Sequence, residues 1–294
     1  MLKDFSDWKE YEGAAEGSGR SEKIWLLNPK TNETGLFKLK KDIETTDHLS
    51  ECIAYDIATL LDIPCARYEL GTYQEKEGSM SYNVIDTEQK ILVEGLQVIT
   101  SVFPQYNDER FVDEETGLRY SLELIEYALE KYGLFQEFLH IPIFDFLIGN
   151  TDRHHSNWAF IKENETYSFS PLYDNSSSLC AYLSEKQCAS YLTKDKMRWN
   201  SLIDTKSKSL IRIAGSDKSQ PTHLQVLQEI YRKYCADTED FVQNILSIMT
   251  DSTIYDIVEK YDNRILKENK KQVIRNFLSA KVDLLKSVYE GGCQ

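Results

Sequence analysis

The sequence predicts a two-lobed α+β fold, with a β-rich N-lobe over residues 1–100 and a helical C-lobe over residues 101–294. Short runs of β-branched and aromatic residues between turn signals dominate the first hundred residues, with one helical pattern among them. Beyond residue 100, apolar residues recur at helical spacing over several stretches. No internal repeat or low-complexity linker separates the two parts, which favours lobes that share a cleft.

Composition and charge narrow the classes of partner. Hydrophobic residues make up 41% of the chain and charged residues 28%, as in ordinary globular proteins. The net charge of −14 argues against a nucleic-acid partner for the chain itself and against an anionic membrane, because both would repel it. No apolar run reaches membrane-spanning length, and the first residues do not begin a signal peptide. We therefore expect a cytoplasmic protein that binds neither nucleic acid nor membrane.

The six cysteines form no C-x-x-C pair. Scattered thiols in a long acidic chain are more often buried or idle than bridged or bound to zinc. We expect no disulfide and no structural metal.

A glycine-rich stretch precedes the first predicted hairpin. Residues 12–23 are small and polar, and apolar strand-like runs follow them. Glycines let a backbone approach phosphates closely and offer N–H donors to them. Gly17, Ser18 and Gly19 are therefore candidate nucleotide-binding residues, with a flexible surface turn as the alternative. The G-x-x-x-x-G-K-[ST] motif of P-loop proteins is absent.

A lysine interrupts the strand-like run G-L-F-K-L. Lys38 either faces solvent from an edge strand or grips the α- and β-phosphates of ATP, and Lys40, two residues on, is the second candidate. Residues 48–62 then predict a helix. Glu51 lies opposite the apolar stripe of this helix, so it is either solvated or faces a cleft, where a kinase pairs such a glutamate with the strand lysine.

Residues 144–179 form the most informative stretch. An apolar run is followed by the polar loop N-T-D-R-H-H-S-N, and two alternating runs at 158–161 and 166–170 come next. These runs predict a hairpin that turns at Glu163-Asn164. The two loops that flank this hairpin would bring their polar side chains to one point.

Those loops carry Asp152, Asn157 and Asp174, a set that suits phosphoryl transfer. Mg²⁺ takes oxygen ligands and only one or two from protein, which fits Asn157 and Asp174. Asp152 would accept a proton from the attacking hydroxyl or orient it. Protein kinases have the same five-residue interval between catalytic Asp and Asn, and a further Asp after a short hairpin. The H-R-D and D-F-G motifs of protein kinases are absent here. The alternative is that Asp152, His154 and Asn157 only cap and stabilise a turn.

The motif N-T-D-R-H-H-S-N, followed by P-L-Y-D-N-S-S-S-L, resembles the HipA-like serine/threonine kinases, a family of bacterial toxin kinases. D-R-H-x-x-N is also similar to the catalytic loop of phosphatidylinositol 3- and 4-kinases. The G-x-x-E-K pattern that ends at Lys23 is similar to the phosphate loop of the HipA-like family. The resemblance implies a protein-kinase-like fold with ATP and Mg²⁺ between the lobes. It implies these roles: catalytic Asp152, His154 and Asn157; metal ligands Asn157 and Asp174; the ATP lysine Lys38 with its partner Glu51.

The resemblance also implies an activity and partners. The expected activity is phosphorylation of serine or threonine hydroxyls on a protein substrate. An antitoxin or another regulator is a partner that the resemblance implies. D-R-H-x-x-N leaves a lipid or small-molecule kinase as one alternative. A catalytically silent nucleotide-binding module is the other. Family members can phosphorylate a serine in the glycine-rich loop; here Glu16 occupies the matching position, so Ser18 or Ser21 would be the modified residue.

The remaining segments yield coarser predictions. The adenine-reading hinge falls either at Met80–Val84 or at Leu92–Gly95, and residues 102–117 read as a loop. Residues 180–221 are polar and mixed, as in the substrate-binding segment of a kinase. Predicted helices cover 120–132, 134–149 with an interruption or kink at Pro142, 222–234, 238–249 and 270–289.

Overall fold

The computed structural model describes residues 2–11, 22–85, 87, 89–213 and 219–293. Its strands are β1 (Lys3–Asp4), β2 (Lys9–Glu10), β3 (Lys23–Leu27), β4 (Thr34–Leu39), β5 (Tyr68–Tyr73), β6 (Lys76–Tyr82), β7 (Lys90–Glu94), β8 (Tyr106–Asn107), β9 (Val112–Asp113), β10 (Ala159–Glu163) and β11 (Thr166–Phe169). Its α-helices are α1 (Asp47–Leu60), α2 (Gly95–Thr100), α3 (Leu122–Leu129), α4 (Phe135–Phe138), α5 (His140–Ile148), α6 (Glu185–Tyr191), α7 (Lys196–Asn200), α8 (His223–Ile248), α9 (Asp251–Glu259) and α10 (Glu268–Tyr289).

The first part of the chain forms a six-stranded sheet in the order β1-β5-β6-β4-β3-β2 among the described residues. The predicted hairpin after the glycine-rich stretch is the antiparallel pair β3–β4. Strand β4 alternates between buried and half-buried residues, so that Phe37 and Leu39 enter a small aromatic core and Lys38 points the other way. Helix α1 packs against β5 and β6.

Helix α1 confirms the helical pattern predicted for residues 48–62. Leu49, Ile53 and Ile57 are buried in the main core that this helix shares with the helical part. Thr46 precedes the first turn but makes no side-chain cap. The opposite side of α1 is also buried, because it faces the loop that follows β11 and not solvent.

The predicted hairpin around Glu163-Asn164 is confirmed as β10–β11, with Glu163 opposite Thr166. Asn164 has a φ of 55°, a left-handed conformation that asparagine tolerates better than most residues. Strand β7 pairs with β10 and completes a three-stranded sheet. The boundary at residue 100 stays a prediction, and β7 contributes to the second sheet although it precedes that boundary.

The predicted break within residues 134–149 occurs, but not at Pro142. Helix α4 ends at Phe138, and Leu139 separates it from α5. Pro142 lies in the first turn of α5, where a backbone N–H has no partner within the helix, so proline causes no break there. Gly149 ends α5 at a φ of 67°, and a Cβ there would lie 2.6 Å from the ring of Phe277. The chain must therefore turn sharply at this point into the predicted catalytic loop.

The C-terminal helices differ from the prediction in two respects. The predicted helices 222–234 and 238–249 form one element, α8, which is kinked at Tyr234. Helix α9 was not predicted from the sequence.

The region 102–117, predicted as a loop, contains the short antiparallel pair β8–β9. None of the helices among the described residues combines the length and apolar character needed to cross a bilayer.

The expectation of idle thiols was wrong for two cysteines. Cys235, just after the kink in α8, forms a disulfide with Cys293, with Cα atoms 5.5 Å apart. The hydroxyl of Tyr231 donates a hydrogen bond to the carbonyl of Gly292 beside it. The sequence separation of 58 residues encloses α9 and α10, so the bond ties the end of the chain to α8. Spacing alone could not reveal it, because the pairing depends on how the helices pack.

Reduction of this disulfide should lower the free energy of unfolding by about 4 kcal/mol, the chain-entropy value for a loop of this length. Urea unfolding with and without reductant measures the change. The variant Cys235→Ser is the matched control, since reductant should not alter its unfolding. Thiol titration of the denatured protein should find four free cysteines before reduction. Six free thiols before reduction would contradict the bond.

Candidate active site

A cleft lies between the six-stranded sheet and the two loops that flank β10–β11. One wall comes from β3, β4, β5 and the end of β6, and the other from β7 and those loops. Its lining residues are Lys23, Trp25, Leu36, Lys38, Ala66, Tyr68, Ser81, Tyr82, Asn83, Val84, Leu92, Glu94, Ser156, Asn157, Tyr173 and Asp174. Both predicted hinge stretches contribute to this lining, so both stay candidates.

Lys38 is the charged centre of the cleft. Its Nζ lies 2.9 Å from Glu51 Oε1 and 3.1 Å from Asp174 Oδ1. Burial alone would lower the pKa of Lys38, but the two carboxylates more than offset this and raise the pKa well above its ordinary value. Lys38 is therefore charged throughout the physiological pH range and holds strand β4, helix α1 and the loop after β11 together.

Glu51 connects that lysine to the backbone of the same loop. Its Oε2 accepts a hydrogen bond of 2.8 Å from the N–H of Asn175, and its side chain is 1% exposed. The N–H of Asp174 donates to the hydroxyl of Tyr68 at 3.1 Å. Asp174 has a φ of 54°, a conformation that costs about 1 kcal/mol or more outside glycine. Two neighbouring N–H groups are thus fixed by side chains from the sheet and α1, which keeps the Asp174 carboxylate aimed into the cleft.

The ionisation of Asp174 follows from these contacts. Burial alone would raise its pKa, but the charge and hydrogen bond of Lys38, with a further hydrogen bond from Ser176, lower the pKa to about 2. Asp174 is therefore a carboxylate at any physiological pH, as a metal ligand must be.

Lys23 is a second cation in the cleft. It pairs with Lys38 across the β3–β4 ladder and lines the same space. Burial and the charge of Lys38 lower the pKa of Lys23, whereas Asp174 and Glu94 oppose the change. Lys23 thus adds a second positive charge to the cleft of a chain that is acidic overall.

Asp152 is exposed to solvent, and its carboxylate is close enough to Asp174 for the two charges to interact. Its backbone carbonyl accepts hydrogen bonds from His154 N–H at 2.9 Å and Asn157 Nδ2 at 2.8 Å. Partial burial raises the pKa of the Asp152 carboxylate; the charge of His154 opposes this, and the charge of Asp174 raises the pKa further. His154 Nδ1 accepts from Ser156 N–H at 3.2 Å, so the imidazole shapes the turn. The structure thus brings Asp152 and Asn157 together in one tight loop.

Arg153, between those residues, is buried and uses every donor of its guanidinium. Its Nε and one Nη bind both oxygens of Asp145 at 3.0 and 2.9 Å. The other Nη donates to the carbonyls of Asn157 at 2.6 Å and Tyr173 at 2.8 Å. A further N–H donates to Asn175 Oδ1 at 2.6 Å. One side chain therefore ties helix α5 to both loops that carry the predicted site.

The donor set fits Mg²⁺. The amide Nδ2 of Asn157 is engaged with the Asp152 carbonyl, which leaves Oδ1 as the atom to present to a cation. Lys38 and Ser176 contact Oδ1 of Asp174, so Oδ2 is the carboxylate oxygen outside these bonds. Within the described ranges, no group of three or more His, Cys, Asp and Glu side chains could hold a metal. An amide and a carboxylate oxygen are the small protein contribution typical of Mg²⁺ bound together with phosphates.

The structure also separates the candidates that the sequence left open. Lys38 enters the cleft, whereas Lys40 lies beyond the end of β4 with its Nζ 4.0 Å from Glu77. Gly17, Ser18 and Gly19 lie outside the described residues, as do Glu16 and Ser21, and their predicted roles stay predictions.

Arg153 and Tyr68 were not predicted as site residues, and Lys23 was predicted only as the last residue of the G-x-x-E-K pattern. Arg153 lies inside the D-R-H-x-x-N motif. Its position between the candidate site residues Asp152 and His154 was the feature of the sequence that could have indicated its role. Tyr68 gave no signal, because its contact with Asp174 joins positions 106 residues apart.

Comparison with solved structures confirms the predicted two-lobed, protein-kinase-like α+β fold. The Helicobacter pylori proinflammatory kinase CtkA has a TM-score of 0.82 and 20% identity, with 100% of each chain covered. HipA of the Shewanella oneidensis MR-1 toxin–antitoxin system, solved with HipB and operator DNA, has a TM-score of 0.59 and 14% identity, with 97% of this chain and 67% of that chain covered. No curated protein matches this chain in a sequence comparison.

The kinase-like fold and its cleft define the class, and a sequence model defines the family. The model described as the HipA-like C-terminal domain matches residues 15–245. The chain belongs to this HipA-like family, as the motif around Asp152 predicted.

Replacing Arg153 by methionine should destabilise the protein by roughly 3–5 kcal/mol, because Asp145 would be left buried without its partner. The double variant Arg153→Met/Asp145→Leu should lose less than the single variant, since no uncompensated charge remains. Urea unfolding measures both. The control Arg264→Met removes an exposed arginine that pairs with Asp262, and its urea midpoint should not change. A single Arg153 variant as stable as the wild type would contradict the assigned role.

Proposed function

We propose that this chain is an ATP- and Mg²⁺-dependent protein kinase that phosphorylates serine or threonine hydroxyls. The observation that carries the proposal is the contact of Lys38 with both Glu51 and Asp174 inside the cleft. Kinases require this lysine–glutamate pair beside a metal-binding aspartate. Membership of the HipA-like family and the kinase fold support the same activity.

Each residue has a defined part in this proposal. Lys38, oriented by Glu51, grips the α- and β-phosphates of ATP, and Lys23 adds a second positive charge beside it. Asn157 and Asp174 would hold Mg²⁺, which would offset the negative charge of the phosphates. Asp152, exposed to solvent near Asp174, accepts the proton of the acceptor hydroxyl. Its raised pKa makes the carboxylate a better base than an ordinary aspartate.

The exposed position of Asp152 favours an acceptor that approaches from outside, such as a hydroxyl on a protein surface. The solved HipA relative belongs to a toxin–antitoxin system with HipB. For this chain we propose a regulatory protein as a partner. We expect the chain to be located in the cytoplasm.

Incubation of the wild-type chain with labelled ATP, Mg²⁺ and a bacterial extract tests the activity. Label in acid-stable phosphoserine or phosphothreonine is the expected result. Label in the lipid fraction or in small molecules would instead favour the alternative kinases. Intact mass of the chain and peptide mapping of residues 13–23 test whether Ser18 or Ser21 is modified. No transfer of label to any acceptor, with ATP bound, would leave a nucleotide-binding module and contradict the proposal.

Lys38→Ala should lower turnover at saturating ATP by about 10²-fold, because misplaced phosphates lose their alignment with the acceptor. Lys40→Ala is the matched control, since its side chain lies outside the cleft, and its turnover should stay within about twofold of wild type. Steady-state kinetics with thermal unfolding of each variant provides the measurement. A damaging Lys40→Ala beside a harmless Lys38→Ala would shift the assigned register by two residues.

Two aspartate variants should separate chemistry from metal binding. Asp152→Asn removes the base and should lower phosphoryl transfer by about 10²–10⁴-fold while ATP affinity is retained. Asp174→Ala should instead abolish the Mg²⁺-dependent part of nucleotide affinity. Calorimetry and single-turnover transfer measure the two effects, with the exposed Asp240→Asn on α8 as the control. Unchanged MgATP affinity in Asp174→Ala, or near-full activity in Asp152→Asn, would refute the respective assignment.

A further inference from the structure

A lysine is buried in the helical part at a site that the proposed mechanism does not use. Lys281 on α10 is 0% exposed and stands over the rings of Phe146, at 4.5 Å, and Phe277, at 5.3 Å. Its Nζ hydrogen-bonds to a hydroxyl, Ser207 Oγ, at 3.0 Å, and not to a carboxylate. A buried ammonium group is unfavourable unless its surroundings compensate for the lost water. Core packing alone therefore does not explain a lysine at position 281.

The hydrogen bonds continue from this lysine to the catalytic loop. Ser207 Oγ lies 2.9 Å from His223 Nδ1, and His223 Nε2 lies 2.8 Å from the carbonyl oxygen of Asn150. A second bond runs from the backbone N–H of His223 to the carbonyl of Ser207 at 2.8 Å. Thr222 begins α8 with a capping box, which fixes His223 as the first residue of the helix.

With a neutral imidazole, one arrangement of protons satisfies this chain of hydrogen bonds. A carbonyl oxygen can only accept, so His223 Nε2 must carry a proton, and in a neutral imidazole Nδ1 is then an acceptor. Ser207 then donates its hydroxyl proton to Nδ1 and accepts one from Lys281. Burial, together with the charge of Lys281, lowers the pKa of His223 to about 3, and the bonds to Asn150 and Ser207 only partly oppose this. The imidazole is therefore neutral, as the arrangement requires.

Asn150 transmits this contact to the proposed base. It is 1% exposed, and its Oδ1 accepts the backbone N–H of Asp152 at 3.2 Å. Its Nδ2 donates to Asp145 at 3.2 Å, the same carboxylate that binds Arg153. The Asn150 carbonyl and side chain thus fix the peptide units that lead into Asp152.

We propose that His223 is a positioning residue, which sets the catalytic loop by donating from Nε2 to the Asn150 carbonyl and is held in that tautomer by Ser207 and Lys281. The inference deepens the proposed function and rests on it for its effect on turnover. It also links Ser207, which lies in the segment 180–221 expected to bind substrate, to the residue that would activate the acceptor.

Two substitutions of His223 distinguish positioning from simple packing. In His223→Gln, the amide N–H₂ can occupy the place of Nε2 and still donate to Asn150. In His223→Asn, the shorter amide can reach only the position of Nδ1, next to Ser207. Both variants remove the imidazole ring, so a role limited to packing of the ring would disturb residues 150–157 in both.

We expect His223→Asn to lower kcat by about 10–100-fold, with KM for ATP within about twofold, because among the described residues Asn150 hydrogen-bonds to Asp145, Asp152 and His223 and not to Lys38 or Glu51. His223→Gln should retain kcat within about threefold. Hydrogen exchange of the backbone amides at 150–157, followed by mass spectrometry, should be faster in the Asn variant and close to wild type in the Gln variant. Equal effects of the two variants, or none from either, would overturn the inference.

A measurement on the unmodified protein keeps the test valid if either variant fails to fold. Nitrogen-15 NMR of histidine-labelled wild type should find His223 neutral with its proton on Nε2 at pH 7. Protonation on Nδ1, or a charged imidazole, would refute the arrangement. A wild-type chain without phosphoryl transfer would count against the proposed function, whereas the tautomer and the exchange pattern would still decide the role of His223.

Discussion

The fold of the site depends on the buried guanidinium of Arg153. Its five N–H donors reach the Asp145 carboxylate at the end of α5, the carbonyl of Asn157 in one loop, and Tyr173 and Asn175 in the other. No other chemistry among the side chains offers so many donors in a fixed plane. Two of these partners are backbone carbonyls, those of Asn157 and Tyr173. Arg153 therefore fixes the backbone path of both loops.

The second constraint joins the sheet to those loops. Glu51 accepts from Lys38 with one oxygen and from Asn175 N–H with the other, so α1 cannot move without disturbing both the lysine and the loop. Asn175 is also a partner of Arg153. The ion pair of the cleft and the buried guanidinium are therefore coupled through one residue. A kinase that depends on this pair would lose ATP alignment and loop geometry together.

Much of this site could be predicted because it is local in sequence. The hairpin β10–β11 follows from alternating residues around Glu163-Asn164, and it places Asp174 near Asn157. The period of two along β4 also sends Lys38 to the face opposite Phe37. The contact of Lys38 with Glu51 favours Lys38 over Lys40 as the proposed ATP lysine.

What could not be predicted depends on distant contacts. Arginine is almost never buried, so composition favours an exposed Arg153, and only its complete set of partners explains its position. His223 meets Asn150 across 73 residues, and Cys235 meets Cys293 only because α8 and α10 pack together. Pro142 shows the opposite error: a residue that breaks helix interiors is harmless in a first turn, and the sequence did not locate that turn.

A crystal structure of the wild-type chain with Mg²⁺ and a non-hydrolysable ATP analogue would show whether Lys38 and Asp174 form the nucleotide site. Phosphate oxygens should lie within hydrogen-bonding distance of Lys38 Nζ, and a metal should be bound by Asn157 Oδ1 and the Asp174 carboxylate. Asp152 should face the γ-phosphate. A nucleotide bound elsewhere, or phosphates directed away from Lys38 and Asp174, would contradict these assignments.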